Sequence, residues 1–258
     1  MDASALVFPV ECAGCGAPDR GLCPACRVHF TAVPVTRTTA VGLRVVTALT
    51  YDGVVRRVIL ALKEQNRTDL AAALAGAQAV AIAAALGRDP GEHAGVEHAG
   101  TEHAGVERAG AERAGAELVA VPTSRAAYRT RGYDPLALIL RRAHIQTHPV
   151  LVHVRSTRHQ KTLGSHDREQ NLRGAMAARH RLTERRFIIV DDILTTGSTM
   201  AEASRAISAA GGEVVGGVCL AFTPRMFHPE MMRPVTSLGL RTTVGLEPET
   251  GEARIVRR

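Results

Sequence analysis

Two hydrophobic periods alternate along this chain, and the switches between them mark its elements. Residues 43–51 form an apolar, β-branched run that reads as a strand. Over residues 52–63, Val54, Val55, Val58, Ile59 and Leu62 recur at helical spacing, while Arg56, Arg57 and Lys63 fall elsewhere. A second, alanine-rich helix is predicted over 68–86. Residues 118–122 (Leu-Val-Ala-Val-Pro) read as a short buried strand, 123–132 as a polar loop and 136–142 as a helix. Another strand is predicted at 150–154, followed by a long basic loop over 155–171. Four apolar residues in a row, Phe187 to Val190, are what a strand covered on both faces needs. A helix follows from about 200 to 210, and a last strand at 213–222 closes the sheet. Strands alternating with helices predict an α/β fold with a mostly parallel sheet. Beyond Pro224 the pattern dissolves, and 224–258 reads as a mostly disordered tail.

One segment follows neither period. Glu92, Glu97, Glu102, Glu107, Glu112 and Glu117 recur every five residues, with His93, His98 and His103 beside the first three. Five residues turn a helix about 140° past a full turn, so these histidines spiral instead of clustering. A glycine in each unit costs roughly 1 kcal/mol against helix. Residues 91–117 therefore read as a low-complexity insertion, disordered or frayed and dispensable.

Aromatic residues are 3% of the chain and tryptophan is absent, so the core must rest on Ala, Val, Leu and Ile. The net charge of +7 and isoelectric point near 9.7 suit polyanionic partners, either phosphorylated substrates or nucleic acid. Residues 1–10 carry Asp2 and no basic leader, which argues against a secretory signal. The apolar stretch 70–86 is mostly alanine and marginal in length for a bilayer, so a buried or half-buried helix is expected there and no membrane insertion. A cytoplasmic protein is expected.

Cysteine spacing sharpens that expectation. Cys12 and Cys15 form one closely spaced pair and Cys23 and Cys26 another, while Cys219 stands alone in an apolar strand. Paired units of this kind in a reducing compartment point to a metal site before disulfides. Four thiolates suit tetrahedral Zn²⁺, and Gly14 and Gly16 permit the tight turns of a knuckle. Such a site closes all four coordination positions, making the zinc structural. Residues 1–34 are read as this zinc-knuckle module, and Cys219 as a small core hydrophobe.

The densest chemistry lies at Asp191-Asp192-Ile193-Leu194-Thr195-Thr196-Gly197-Ser198-Thr199. A buried strand ends in two carboxylates and opens into hydroxyls and a glycine ahead of a helix. Unpaired N–H groups and the dipole at that helix start favour an anion. Thr195, Thr196, Ser198 and Thr199 add hydroxyl donors, and Gly197 lets the backbone approach closely. Two acids would repel a bare phosphate, but they accept hydrogen bonds from sugar hydroxyls. The ligand implied is a phosphorylated sugar. Helix capping alone would need one such residue, not this many around a glycine.

In an open α/β sheet ligands bind beyond the carboxyl ends of the strands, so two other loops should meet this one. The first carries Arg125, Arg129, Arg131 and Gly132, whose guanidiniums suit bidentate pyrophosphate contact. The second carries Arg155, Gln160, Lys161, Arg168 and Asn171 and reads as a mobile lid.

The Asp191–Thr199 stretch closely resembles the ribose-5-phosphate loop of type I phosphoribosyltransferases. With Phe8-Pro9, the four cysteines, Tyr51-Asp52-Gly53, Ile59, Lys63, Val121-Pro122, Arg131-Gly132-Tyr133, Gln160, Leu163, Arg168 and Asn171 in order before it, the chain is similar to the ComF/GntX group of phosphoribosyltransferase-like proteins. The match covers most of 8–222 apart from the repeat. That resemblance implies a type I phosphoribosyltransferase domain over 40–222 joined to the knuckle, binding phosphoribosyl pyrophosphate (PRPP) with Mg²⁺. It implies that Asp191 and Asp192 hold the ribose hydroxyls and act at the catalytic centre. Thr195–Thr199 would cradle the 5-phosphate, Arg131-Gly132 the pyrophosphate, and Arg155–Asn171 would form the flexible lid. The group is linked to competence and use of incoming DNA. The alternative is a non-enzymatic zinc protein that binds single-stranded DNA or a DNA-uptake partner. One departure is Asp134-Pro135 where the group has Asn-Gln, an acid that opposes pyrophosphate.

Overall fold

The computed structural model describes residues 10–18, 20–87, 115–154, 172–224 and 232–234, the last three as backbone. Its strands are β1 (Val35–Thr38), β2 (Arg44–Thr50), β3 (Glu117–Ala120), β4 (Leu151–His153), β5 (Met176–Ala178), β6 (Arg186–Leu194), β7 (Glu213–Phe222) and β8 (Met232–Pro234). Its α-helices are α1 (Pro24–Arg27), α2 (Gly53–Glu64), α3 (Ala71–Ala85), α4 (Arg125–Arg131), α5 (Pro135–Arg142) and α6 (Ser198–Ala209). Six strands form one sheet in the order β3-β6-β7-β2-β1-β8. β3, β6, β7 and β2 run parallel, while β1 is antiparallel to both β2 and β8. The α/β expectation with a mostly parallel sheet holds.

β6 shows how sequence sets the layers. Side chains alternate across a strand, so Phe187 and Ile189 join one core while Ile188 and Val190 join the other, all four with no exposed surface. The first core packs α6 through Met200, Ala203, Ala206 and Ile207. The second packs α2, α3 and α5 together with Cys12, Cys23, Cys26 and Phe30 of the cysteine module. α3 is the apolar stretch long enough to raise a membrane question. It lies half-buried against β2, β7 and α5, as a buried or half-buried helix would.

Several segments differ from expectation. Residues 123–132 are not a loop but mostly α4, because Ser124 Oγ accepts the Ala127 N–H at 3.2 Å and Gly132 ends the helix in the left-handed region. β4 does not join the main sheet; it pairs antiparallel with β5 in a separate two-stranded unit. β1, β5 and β8 were unforeseen, and β8 lies within the segment expected to be tail. β3 starts at Glu117, the last glutamate of the repeat, which takes two hydrogen bonds from Arg185 at 2.7 and 2.6 Å. β6 runs through both aspartates to Leu194 instead of ending at them. Residues 88–114, the bulk of the repeat, and 235–258 lie outside the described residues.

The two-stranded unit is fixed to α6 by a buried carboxylate. Glu202, 4% exposed, accepts the Met176 N–H at 2.9 Å and two Arg205 N–H groups at 2.8 Å, and Arg205 also donates to the Met176 carbonyl at 2.8 Å. Burial alone would raise this carboxyl, but Arg205 and the Met176 N–H outweigh it and hold it below the ordinary glutamate range. A depressed pKa means that the stabilisation is full above the unfolded value of about 4.3 and is lost as pH falls through the lower folded value. Glu202→Ala should therefore cost about 2–3 kcal/mol in urea unfolding at pH 7, with Glu202→Gln losing less because its amide oxygen still accepts. The wild type and Glu202→Gln should converge in stability as pH falls through the lowered folded value.

Candidate functional site

The cysteine pairs meet as the spacing requires. The four Sγ atoms of Cys12, Cys15, Cys23 and Cys26 lie within 4.8 Å of one another, and Cys15 and Cys23 are 3.7 Å apart. Tetrahedral zinc with bonds of about 2.3 Å separates its sulfurs by about 3.8 Å, so the donor set fits the ion. The Cys23 N–H donates to Cys12 Sγ at 3.3 Å. Burial opposes ionisation of Cys12, but N–H groups of Cys23, Cys15 and Gly14 hold its thiol down at about 6. Burial and the neighbouring sulfurs push Cys26 up to about 12. Four thiolates this close need a cation to ionise together, and the cluster could hold zinc. Gly14 is required by close approach: a Cβ there would stand 2.6 Å from Cys26 Sγ and 2.9 Å from Val54 Cγ1.

The module is seated on α2 and the turn after it. Arg57 donates to the Gly14 carbonyl, and Arg67 donates to the carbonyls of Glu11 at 3.1 Å and Gly21 at 3.2 Å while pairing with Asp69 at 2.9 Å. Phe30 is buried against this layer at 8% exposure, so it offers no face for base stacking. Cys219 is fully buried beside Asp191 on the neighbouring strand, its thiol pushed well up by burial and by both acids. It is the inert core residue its position suggested.

At the carboxyl end of β6, Asp191 and Asp192 are half-buried and adjacent. Asp191 Oδ1 accepts the Asp192 N–H at 2.8 Å. Lys63, from the last turn of α2, pairs with Asp192 Oδ2 at 2.6 Å. Burial, then the charge of Asp192, pushes Asp191 up to about 7. Burial pulls Lys63 down, but Asp192 and Asp191 outweigh it and hold the ammonium above the ordinary lysine value. Burial likewise raises the Tyr51 phenol, which feels the charges of Lys63 and Asp192. Sequence reading placed Lys63 off the apolar positions of this helix and named it in the family resemblance without giving it a role; the structure brings it to Asp192.

Beyond Leu194 the chain turns into α6 through Thr195, Thr196 and Gly197. Gly197 occupies the left-handed region at φ +83°, and a Cβ there would press Thr39 Cγ2 at 3.0 Å. Thr196 Oγ1 and Ser198 Oγ are 2.6 Å apart, and the Ser198 N–H donates to Thr196 Oγ1 at 3.3 Å. Gly197 provides no side-chain cap, so hydroxyls and backbone donors gather at the start of α6.

α4 presents two faces. Arg131 lies toward Lys63, whose ammonium its charge opposes. Tyr133 OH donates to the Leu62 carbonyl, tying the end of this segment beside Lys63. Arg125, Tyr128 and Arg129 instead line a cleft of about 630 Å³ at the edge of β3, with Val121, Pro122 and His148. The expected grouping of all three arginines on one pyrophosphate is therefore divided by the helix. Asp134, the acid expected to oppose pyrophosphate, caps α5 by accepting the Ala137 N–H at 3.0 Å, and its charge adds to the rise of Asp191. The lid candidates Arg155, Gln160, Lys161, Arg168 and Asn171 lie outside the described residues.

Purified protein should carry one zinc per chain by elemental mass spectrometry. Cys26→Ser should lose it and melt at least about 5 °C lower, since metal affinity at such sites is folding energy. Cys219→Ala should keep its zinc. Mild acid should release the metal, because its ligands must stay deprotonated.

No curated protein matches the chain. Residues 123–233, from the turn before α4 through β7 and into β8, match the family model described as the phosphoribosyl transferase domain. The chain thus joins a stretch matching the phosphoribosyl transferase domain to a four-cysteine cluster that could hold zinc.

Proposed function

We propose that this protein binds PRPP with Mg²⁺ and transfers its phosphoribosyl group to an acceptor. The observation that carries the reading is the junction of β6 and α6, where paired carboxylates and a hydroxyl-rich turn share one edge within the matched stretch. Ribose hydroxyls would donate to Asp191 and Asp192. The 5-phosphate would sit in the turn of Thr195, Thr196, Gly197, Ser198 and Thr199, against the start of α6. Arg131, with the Gly132 backbone, would face the pyrophosphate.

The oxygen donors of Asp191 and Asp192 suit Mg²⁺, which takes one or two carboxylates alongside substrate phosphates. When bound, Mg²⁺ offsets the charge of the pyrophosphate. In the transfer, the bond from C1 to the pyrophosphate oxygen breaks and its electron pair leaves with pyrophosphate. The acceptor's lone pair forms the new bond to C1. Asp191 and Asp192 orient the ring, and Arg131 favours the charge gathering on the leaving group. Positioning and fixed charges supply most of the rate. The cysteine module joined to this fold supports the narrower ComF/GntX reading, with its link to competence, and five free cysteines suit a reducing cytoplasm.

Thermal unfolding of zinc-loaded protein tests the site. PRPP with Mg²⁺ at about a hundred times its Kd should add roughly 2.7 kcal/mol and raise the midpoint by several degrees. Asp191→Asn/Asp192→Asn should melt cooperatively, at a lower midpoint because Lys63 loses its partners, and that midpoint should not move with PRPP and Mg²⁺. Release of pyrophosphate in an acceptor screen then establishes transfer. Folded wild-type protein that ignores PRPP would sink the reading.

A further inference from the structure

The cleft on the far side of α4 has no part in the PRPP reading, and its lining is chemically specific. Arg125, Tyr128 and Arg129 stand at helical positions i, i+3 and i+4, which share one face. Arg131 is turned about 240° round the helix from Arg125, toward Lys63. The same seven-residue helix thus carries Arg131 on a different face from the two arginines of the cleft.

Three features of the cleft bear on what would fill it. Its volume of about 630 Å³ falls within the range of small-molecule sites. Its floor is apolar, made by Val121 and Pro122 at the end of β3. Tyr128 is 52% exposed on the same helix face as Arg125 and Arg129. The Arg129 Nε donates to the Arg125 carbonyl at 3.3 Å, which holds its stem along the helix. Across the opening, His148 is fixed by Glu117 Oε2 at 3.1 Å and by its own N–H to the Leu118 carbonyl at 2.7 Å. The His153 ring, 2.9 Å from the Pro122 carbonyl, braces the wall behind. Against two arginines the cleft sets one acid, Asp134, which is engaged in capping α5.

We propose that this cleft is a second ligand site, for a planar aromatic molecule bearing an anionic group. The ring stacks on Tyr128 over the Val121 and Pro122 floor. The anion is held by Arg125 and Arg129, whose guanidiniums favour carboxylate or phosphate oxygens.

Fluorine NMR with 4-fluorobenzoate and its uncharged counterpart 4-fluorobenzyl alcohol tests both halves of this assignment. The full-length, zinc-loaded protein should bind the benzoate at least tenfold more tightly than the alcohol. Arg125→Ala/Arg129→Ala should bring the benzoate down to the alcohol's affinity, and Tyr128→Ala should weaken both probes. All three side chains are exposed, so an unchanged melting midpoint certifies the variants as folded. Saturating PRPP and Mg²⁺ should leave benzoate binding within twofold. If PRPP fails to bind at all, the probes still report on the cleft. Equal affinity for the two probes, no effect of the arginine variant, or displacement of benzoate by PRPP would overturn the proposal.

Discussion

Two adjacent carboxylates near the carboxyl end of a buried strand, balanced by one lysine from the neighbouring helix layer, constrain everything around them. Without Lys63 the two acids would stand half-buried beside each other and beside Asp134, with burial and mutual repulsion both opposing charge. Lys63 therefore has to be delivered accurately, and several parts of the fold do so. α2 buries Val55, Val58, Ile59 and Leu62 under the sheet, which fixes the helix about its axis. Tyr133 closes on the Leu62 carbonyl one residue before the lysine. The 2.6 Å contact with Asp192 is the outcome.

The cysteine module takes its meaning from the same helix. It does not hang from the domain: Cys12, Cys23, Cys26 and Phe30 are buried in the layer that contains α2, and Arg57 of α2 holds the Gly14 carbonyl. The contact between Gly14, Cys26 and Val54 carries the cluster's geometry directly into the first turn of α2. A zinc ion held by these four cysteines would thereby support the helix whose far end supplies the lysine. Its contribution would be mechanical and would need no open coordination position.

Legibility followed the number of apolar neighbours each residue has in sequence. β7 was read at its observed bounds, 213–222, and the inner strand β6 was found, because strands covered on both faces must be apolar throughout. The cysteine set was legible because metal geometry restricts spacing. α4 was missed because Arg125-Ala-Ala-Tyr-Arg-Thr-Arg buries no residue, so it leaves no apolar stripe to detect; its signals were the Ser124 cap and Gly132. β8 is the edge strand and β1 lies beside it, and both are too short for a period to show. The pairing of Lys63 with Asp192 spans more than a hundred residues, and helical spacing says only that the lysine lies off the apolar positions. The division of the three arginines between two sides of α4 likewise depends on a helix that polar composition concealed.

The most direct test of this account is a carbon-13 NMR titration of the Asp191 carboxyl, with and without PRPP and Mg²⁺. In the free protein its midpoint should lie at about 7, far above an ordinary aspartate, and Lys63→Met should move it higher still. With ligand bound, hydroxyl donors favour the ionised form, and the midpoint should fall by at least about one unit. An Asp191 that titrates near 4 in the free protein, or whose midpoint ignores PRPP and Mg²⁺, would contradict it.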